Sequence, residues 1–455
     1  MRGRLRGEGA RGVHEHHPFV GTQRRLGEGE EEGRAALAQG RVEGGDLPAW
    51  QAEGEERVER GNAEGEPAAR GGDEPLQSLG EDDVELRDGH GYAFPMRSSA
   101  ALAALLLVLV TPLAAQQPAP RARQAARATA ARADSVAPAE AARVLGELAD
   151  DSLEGRDTGS RGSAAAARIL AAELRAAGVR PAGDSGWLQR VPLARFTITL
   201  QGQPRRRVAL LADLAARDTL APANRLPFAA VNVVGILLGS DPRLRREAVV
   251  VSAHYDHLGI GRPVNGDSIY NGADDDASGT TAVLEIARLL GRARPAPKRT
   301  VVFLLVTGEE RGMLGTRWYL DHPAVPLDRT VADLEIEMIA RPDSLAGGPG
   351  RAWLTGFERS TLGPTLREAG VPIVPDPRPE QHFFERSDNY AFARRGVVAH
   401  TLSSFGLHAD YHQPSDETRF ADPAHLARVI EAAAHAVRLV ADGPAPQWVP
   451  GGRPE

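Results

Sequence analysis

From Val231 onward, continuous apolar runs alternate with stretches of helical periodicity. The runs Val249-Val250-Val251, Val301 to Val306 and Leu334 to Ile339 read as strands buried on both faces. Between the first two, apolar positions recur at helical spacing and predict a helix from Thr280 to Leu290. A final helix takes Asp422 as N-cap and Pro423 at its first position and stops at Gly443. Its Leu426, Val429, Ile430, Ala433, Val437 and Val440 form a core-facing stripe. An earlier helix is predicted from Ser163, as N-cap, to Ala177, with Gly178 just past its end. There Ala166, Ile169, Leu170, Leu174 and Ala177 share one face. Strand followed by helix, repeated, predicts an α/β sandwich.

The first part of the chain has no such pattern. Residues 1–95 are rich in Gly, Glu and Arg, with a cluster at His14, His16 and His17. Such a segment buries too little apolar surface to fold alone, so it is expected to be disordered, an upstream extension from a mis-chosen start codon. Met96-Arg97, the apolar run Ala100 to Val110, Pro112 and Leu113-Ala114-Ala115 follow. In order, these are the basic, apolar and small-residue parts of a signal peptide over 96–115. The run is short against the ~20 residues of a membrane span. The expectation is export to the periplasm or secretion, with no stable membrane insertion after cleavage. Residues 116–140 read as a linker, 141–443 as a single domain and 444–455 as a tail.

Composition narrows the chemistry. A hydrophobic share of 42% over 455 residues suffices for a large core. A net charge of −7, without a basic block in the second half, argues against a nucleic-acid partner. There is no cysteine, which excludes disulfides, thiolate metal sites and a cysteine nucleophile. Any metal must therefore be held by His, Asp and Glu. Five polar clusters fall where strands should end or in adjoining loops: Ala253-His254-Tyr255-Asp256-His257, Asn271 to Gly279 with Asp274-Asp275-Asp276, Gly308-Glu309-Glu310, Glu335-Ile336-Glu337-Met338, and Tyr411-His412-Gln413-Pro414-Ser415-Asp416. Taken singly, each has an ordinary reading. A strand-end histidine caps, an Asp triplet offsets a helix dipole, a Glu pair is solvated, and Glu335 with Glu337 form the polar face of an edge strand. Taken together, so many carboxylates at one sheet edge are costly without cations. Two divalent ions ~3.5–4 Å apart, sharing one carboxylate, resolve that cost. With His and carboxylate ligands and no sulfur, zinc leads.

The clusters resemble the di-zinc exopeptidase family of secreted bacterial leucyl aminopeptidases, glutamate carboxypeptidase and glutaminyl cyclases. The family's His-x-Asp, Gly-Ala-Asp-Asp-x-x-Ser-Gly, Glu-Glu, Asp-or-Glu-Met and terminal His motifs occur in order across about residues 140–442. The resemblance implies a three-layer sandwich with a mostly parallel mixed central sheet, the zinc-peptidase (phosphorylase/hydrolase-like) architecture. It implies two Zn2+ per chain, one held by His254 and Glu337, the other by Glu310 and His412, with Asp275 bridging them. Glu309 becomes the general base, and Asp256 orients His254 through the second ring nitrogen. Tyr411 is either an oxyanion donor or a packing residue. Arg386-Ser387-Asp388-Asn389 is placed on a loop near the pocket. Two departures stand out: Glu337 occupies a position where many members have Asp, and residues 195–231 are too short for the protease-associated insert of some relatives. The implied activity is zinc-dependent removal of N-terminal residues from a peptide substrate. Glutaminyl cyclase, a carboxypeptidase using Arg386, Arg394 or Arg395, and a non-catalytic binding protein are the alternatives. The oligomeric state stays open.

Overall fold

The computed structural model describes residues 135–200 and 202–455. Helices α1 (Pro138–Leu148) and α2 (Arg161–Ala176) come first, joined through an irregular turn at 151–156. Then follow β1 (Arg180–Pro181), β2 (Leu188–Arg190), the hairpin β3 (Leu193–Leu200) and β4 (Gln203–Leu210), α3 (Leu214–Asp218), β5 (Val231–Leu237), β6 (Ala248–His254) and the small hairpin β7 (Gly259–Val264) and β8 (Asp267–Tyr270). The rest is α4 (Gly279–Arg292), β9 (Thr300–Val306), α5 (Leu314–Asp321), β10 (Thr330–Ile336), β11 (Ala352–Leu354), α6 (Leu362–Glu368), β12 (Ile373–Pro375), α7 (Asp388–Arg394), β13 (Val398–Ser403) and α8 (Pro423–Asp442).

The main sheet runs β1-β5-β9-β6-β10-β13-β11-β12, with β2 also on β5. Its central block, β9-β6-β10-β13, is parallel throughout, and antiparallel pairs flank it at β5-β9 and β13-β11. Alternate side chains enter two separate cores, as the strand period requires. Val249, Val251, Val301, Phe303 and Leu305 pack with residues of α1, α2, α4 and α8. Val250, Val302, Leu304 and Val306 pack with Tyr319 and Leu320 of α5 and Phe392 and Ala393 of α7. The result is the expected α/β three-layer sandwich with a mixed central sheet.

Several boundaries move. The second helix begins at Arg161, because Ser160 rather than Ser163 caps it: the Ser160 hydroxyl accepts from Ser163 N at 3.1 Å. Two serines of equal capping capacity made the sequence ambiguous. Helix α1 starts inside the stretch expected as linker. Residues 444–455 are no free tail, since Trp448 Nε1 donates to Gly396 O (3.1 Å) and Val449 N to Arg359 O (3.0 Å). The strand expected to reach Ile339 stops at Ile336, so Glu337 lies just beyond its end. Nor is β10 an edge strand. It sits between β6 and β13, and buried Glu335 accepts from Ser387 Oγ (2.5 Å), Thr401 Oγ1 (2.6 Å), Asn389 N (3.0 Å) and Asp388 N (3.2 Å). The expected extension 1–95, the signal peptide 96–115 and most of the linker lie outside the described residues. Among the described residues, no helix is long and apolar enough to cross a membrane.

Candidate active site

The parallel strands deliver the chemistry to one edge, as open α/β sheets do. His254 is the last residue of β6, Glu309 and Glu310 follow β9, and Glu337 follows β10. The acidic triplet occupies a wide turn at 273–278 that runs straight into α4, and the Asp275–Asp276 peptide is cis. Gly272, at φ 56°, starts that turn; a Cβ there would lie 2.1 Å from Asp275 O, so only glycine fits.

The three aspartates separate by role. Asp274 Oδ1 accepts from Ala340 N at 2.7 Å, and Asp276 Oδ1 from Gly279 N (2.9 Å) and Met338 N (3.0 Å). Both tie the turn to the end of β10. Asp275 alone faces the pocket. Its Oδ1 lies 3.2 Å from His254 Nε2, and its Oδ2 lies 3.2 Å from His412 Nε2. On one side Glu337 Oε1 stands 3.9 Å from His254 Nε2; on the other Glu310 Oε2 stands 3.2 Å from His412 Nε2. His254, Asp275 and Glu337 thus form one convergent group of ligand atoms, and His412 faces Asp275 and Glu310 on the other side of the shared carboxylate.

The electrostatics agree. Burial opposes ionisation of Asp275, but His254, His257 and His412 outweigh it and hold the carboxyl well below its usual range. Burial likewise opposes charge on His412, yet Glu310 and Asp275 lift it to about 10. The imidazoles are standing in for cations beside these carboxylates. Asp276 Oδ2 and Glu309 Oε1 are buried with no hydrogen-bond partner, and His254 Nε2 has only carboxylate neighbours. The donor set is nitrogen and carboxylate oxygen without sulfur, which fits zinc.

Glu309 borders the same space. Burial pushes its carboxyl well above the ordinary range, with Asp388 and Glu310 adding to the push against His254. Its backbone N–H donates to Asp256 Oδ1 at 3.2 Å. Asp256 itself behaves differently from expectation. His254 Nδ1 bonds the Asp256 carbonyl oxygen at 3.1 Å, whereas the carboxylate stands 3.9 Å away and accepts from Thr158 Oγ1 at 2.7 Å. Orientation of His254 is therefore supplied by backbone. Tyr411 stacks on His412 at 3.9 Å between ring centroids and packs on Phe405 at 5.3 Å. The Arg386–Asn389 segment does reach the pocket wall: Arg386 and Ser387 line a cavity beside Glu337 with Trp353, Phe383, Phe405 and Tyr411.

Two features were not foreseen. His257 Nδ1 lies 2.8 Å from Glu310 Oε1 and 3.8 Å from Asp275 Oδ2, and forms with them the second convergent group of ligand atoms, beside His412. Its place on a loop after β6 gives no periodicity from which to infer that direction. Arg156 and Thr158 come from the 151–158 segment, far from every motif in sequence.

Residues 232–437 match the family model described as peptidase family M28. This segment belongs to peptidase family M28. Relatives of the M28 domain include a "Vacuolar membrane protease" of Verticillium alfalfae, 26% identical over 204 residues, 43% of this chain and 18% of that protein. A "Probable zinc metalloprotease" of Pyrenophora tritici-repentis is 38% identical over 98 residues, 21% of this chain and 19% of that protein. The chain thus spans about a fifth of the length of these curated relatives. Among solved structures, a zinc aminopeptidase from Bacillus subtilis is 15% identical with a TM-score of 0.47, covering 68% of this chain and 95% of that one. A Porphyromonas gingivalis glutaminyl cyclase is 16% identical with a TM-score of 0.44, covering 66% and 97%. The expectation of a secreted or periplasmic enzyme is overturned: relatives matched over 204 residues in V. alfalfae and 220 in Lachancea thermotolerans are vacuolar membrane proteases. An apolar run behind a basic residue resembles an export signal whatever compartment a protein occupies.

Proposed function

We propose that the M28 domain is a two-zinc exopeptidase that removes N-terminal residues from peptides. The observation that carries this reading is Asp275, whose two oxygens each face a separate His–carboxylate group beside a partnerless Glu309 oxygen. His254, Asp275 and Glu337 would hold one ion; Asp275, Glu310 and His412 would hold the other. Bound ions of this kind lower the pKa of a shared water toward ~7 and polarise a carbonyl. Glu309 takes the water's proton and returns it to the leaving amine, a role suited to a carboxyl raised by burial. Glu310 contacts His257 and His412, whereas one Glu309 oxygen is left without a partner, which suits separate roles as ligand and base.

The cavity beside Glu337 supports cleavage at a chain end. It offers about 390 Å³ of open space, its mouth included, between Trp353, Phe383, Phe405 and Tyr411. The Glu337 carboxylate in its wall complements a substrate ammonium. Arg386 in the same wall favours the second reading, a carboxypeptidase gripping a substrate carboxylate. Aminoacyl amides, dipeptides and their N-acetylated and C-amidated forms, assayed with zinc and with chelator, separate the two. The proposal expects N-acetylation and chelation each to abolish hydrolysis. Cleavage of N-blocked peptides, or cyclisation of N-terminal Gln as the main reaction, would overturn it.

A further inference from the structure

The segment 156–158 lies outside the M28 match, yet it touches the cluster after β6 and the acidic turn, and pairs with Arg311 beside Glu310. Arg156 is almost fully buried at 1% exposure. Its guanidinium donates to four backbone carbonyls: Nε to Tyr255 O (2.8 Å), Nη1 to Leu148 O (2.6 Å) and Asn271 O (2.7 Å), and Nη2 to Gly272 O (3.0 Å). Tyr255 adjoins His254, and Asn271-Gly272 opens the turn that carries Asp275. The next residue, Asp157, accepts from Arg311 Nη2 at 2.8 Å, beside Glu310. Thr158 Oγ1 donates to Asp256 Oδ2 (2.7 Å), while Asp256 Oδ1 holds Glu309 N.

The backbone is shaped for this reach. Glu154, Gly155 and Arg156 all have positive φ, at 50°, 63° and 52°. A Cβ on Gly155 would meet Tyr270 O at 2.4 Å and Gly259 O at 2.7 Å, so the turn presses against the hairpin leading into the acidic turn. Left-handed conformation at non-glycine residues such as Glu154 and Arg156 is unfavourable and persists where the surroundings enforce it. A buried guanidinium bonded only to neutral carbonyls is also costly. Burial holds it below its usual range, at about 10, and the field of Asp276, Asp256, Asp275 and Asp416 counters only part of that cost.

We propose that Arg156 is a positioning residue of the metal centre, which clamps the β6 end to the Asp275 turn so that His254 and Asp275 keep facing each other, while Thr158 braces Asp256 beneath Glu309. This rests on the two-metal reading above. The rigid five-donor fork of arginine serves several carbonyls at once, whereas the lysine ammonium is a point charge on a flexible stem. Charge alone therefore does not substitute for it.

The test is zinc affinity of the chelator-stripped full chain, by competition with a chromophoric chelator, for wild type, Arg156→Lys and Thr158→Val, with circular dichroism to confirm folding. Arg156→Lys should bind zinc roughly 10–100-fold more weakly, the usual effect of losing a partner that orients ligands. Thr158→Val should keep zinc affinity within a few-fold but lower kcat at unchanged KM, because it loosens Asp256 under Glu309. A folded Arg156→Lys with wild-type zinc affinity overturns the proposal. Should Arg156→Lys not fold, Arg156→Gln takes its place, and a folded Arg156→Gln with wild-type zinc affinity overturns the proposal. A wild type that binds no zinc refutes the two-metal reading instead, so the two failures are distinguishable.

Discussion

His254 and His400 are both completely buried histidines on strands of one sheet, and their surroundings differ in one respect. His400 Nδ1 donates to Thr355 O at 2.7 Å, and Ser360 Oγ donates to His400 Nε2 at 2.7 Å while accepting from Leu362 N at 3.1 Å. Burial holds this imidazole neutral, at about 4. In sequence-independent terms it is a serine–histidine pair, the outline of a nucleophile and its base. Yet every polar atom is committed, and neither group meets solvent. Around His254 the ligand atoms of Asp275 and Glu337 converge on the ring's Nε2. Residue type and burial are shared by both clusters. Convergence of nitrogen and carboxylate donors on one space distinguishes the one set up for chemistry.

That contrast can be broken most severely at the shared carboxylate. Asp275→Asn removes the anion that faces both groups, so turnover should fall to background while the fold, read by circular dichroism, persists. Glu309→Gln keeps shape and polarity but cannot accept a proton at neutral pH. It should lower kcat roughly 10²–10⁴-fold with zinc content unchanged; near-normal turnover would remove Glu309 as the base. His257→Gln tests the unforeseen neighbour of Glu310. Loss of that contact should weaken zinc binding about 10-fold, measured by chelator competition, with little change in melting temperature.

The smallest effect on activity belongs to the other cluster. His400→Gln should cost about 1–3 kcal/mol of stability by leaving Ser360 and Thr355 unsatisfied, with turnover per folded molecule unchanged. Its pH dependence has a definite sign. The folded pKa of about 4 lies below the unfolded value of ~6.5, so the unfolded state binds the extra proton. The contribution is complete above pH ~6.5 and declines as pH falls toward 4. Denaturant melts of wild type and variant should therefore converge on acidification. A gap that widens instead would mean that His400 is charged in the fold.

How much of this the sequence revealed follows from range. Strands β6 and β9 and helices α4 and α8 were legible because unbroken apolar runs and 3.6-residue stripes are local signals. The middle aspartate of the triplet, Glu309, Glu310, Glu337 and His412 were legible through five motifs in order, and the structure brings them together. The helix start at Ser160 was obscured by a second capping serine. The arginine at 156 was invisible for another reason. Its acceptors are main-chain carbonyls more than a hundred residues away at Asn271 and Gly272, and carbonyls leave no trace in a sequence. The support of His254 by the Asp256 carbonyl instead of its carboxylate was hidden in the same way.

The central claim is that one carboxylate, Asp275, serves two metal positions. It is tested most directly by elemental analysis of zinc-saturated, gel-filtered wild type, Glu337→Gln and Asp275→Asn. The account predicts about two zinc ions per chain in the wild type, about one after Glu337→Gln, which strips only the His254 side, and close to none after Asp275→Asn. Active wild type without bound zinc, or an Asp275→Asn variant that keeps the wild-type complement, would contradict it.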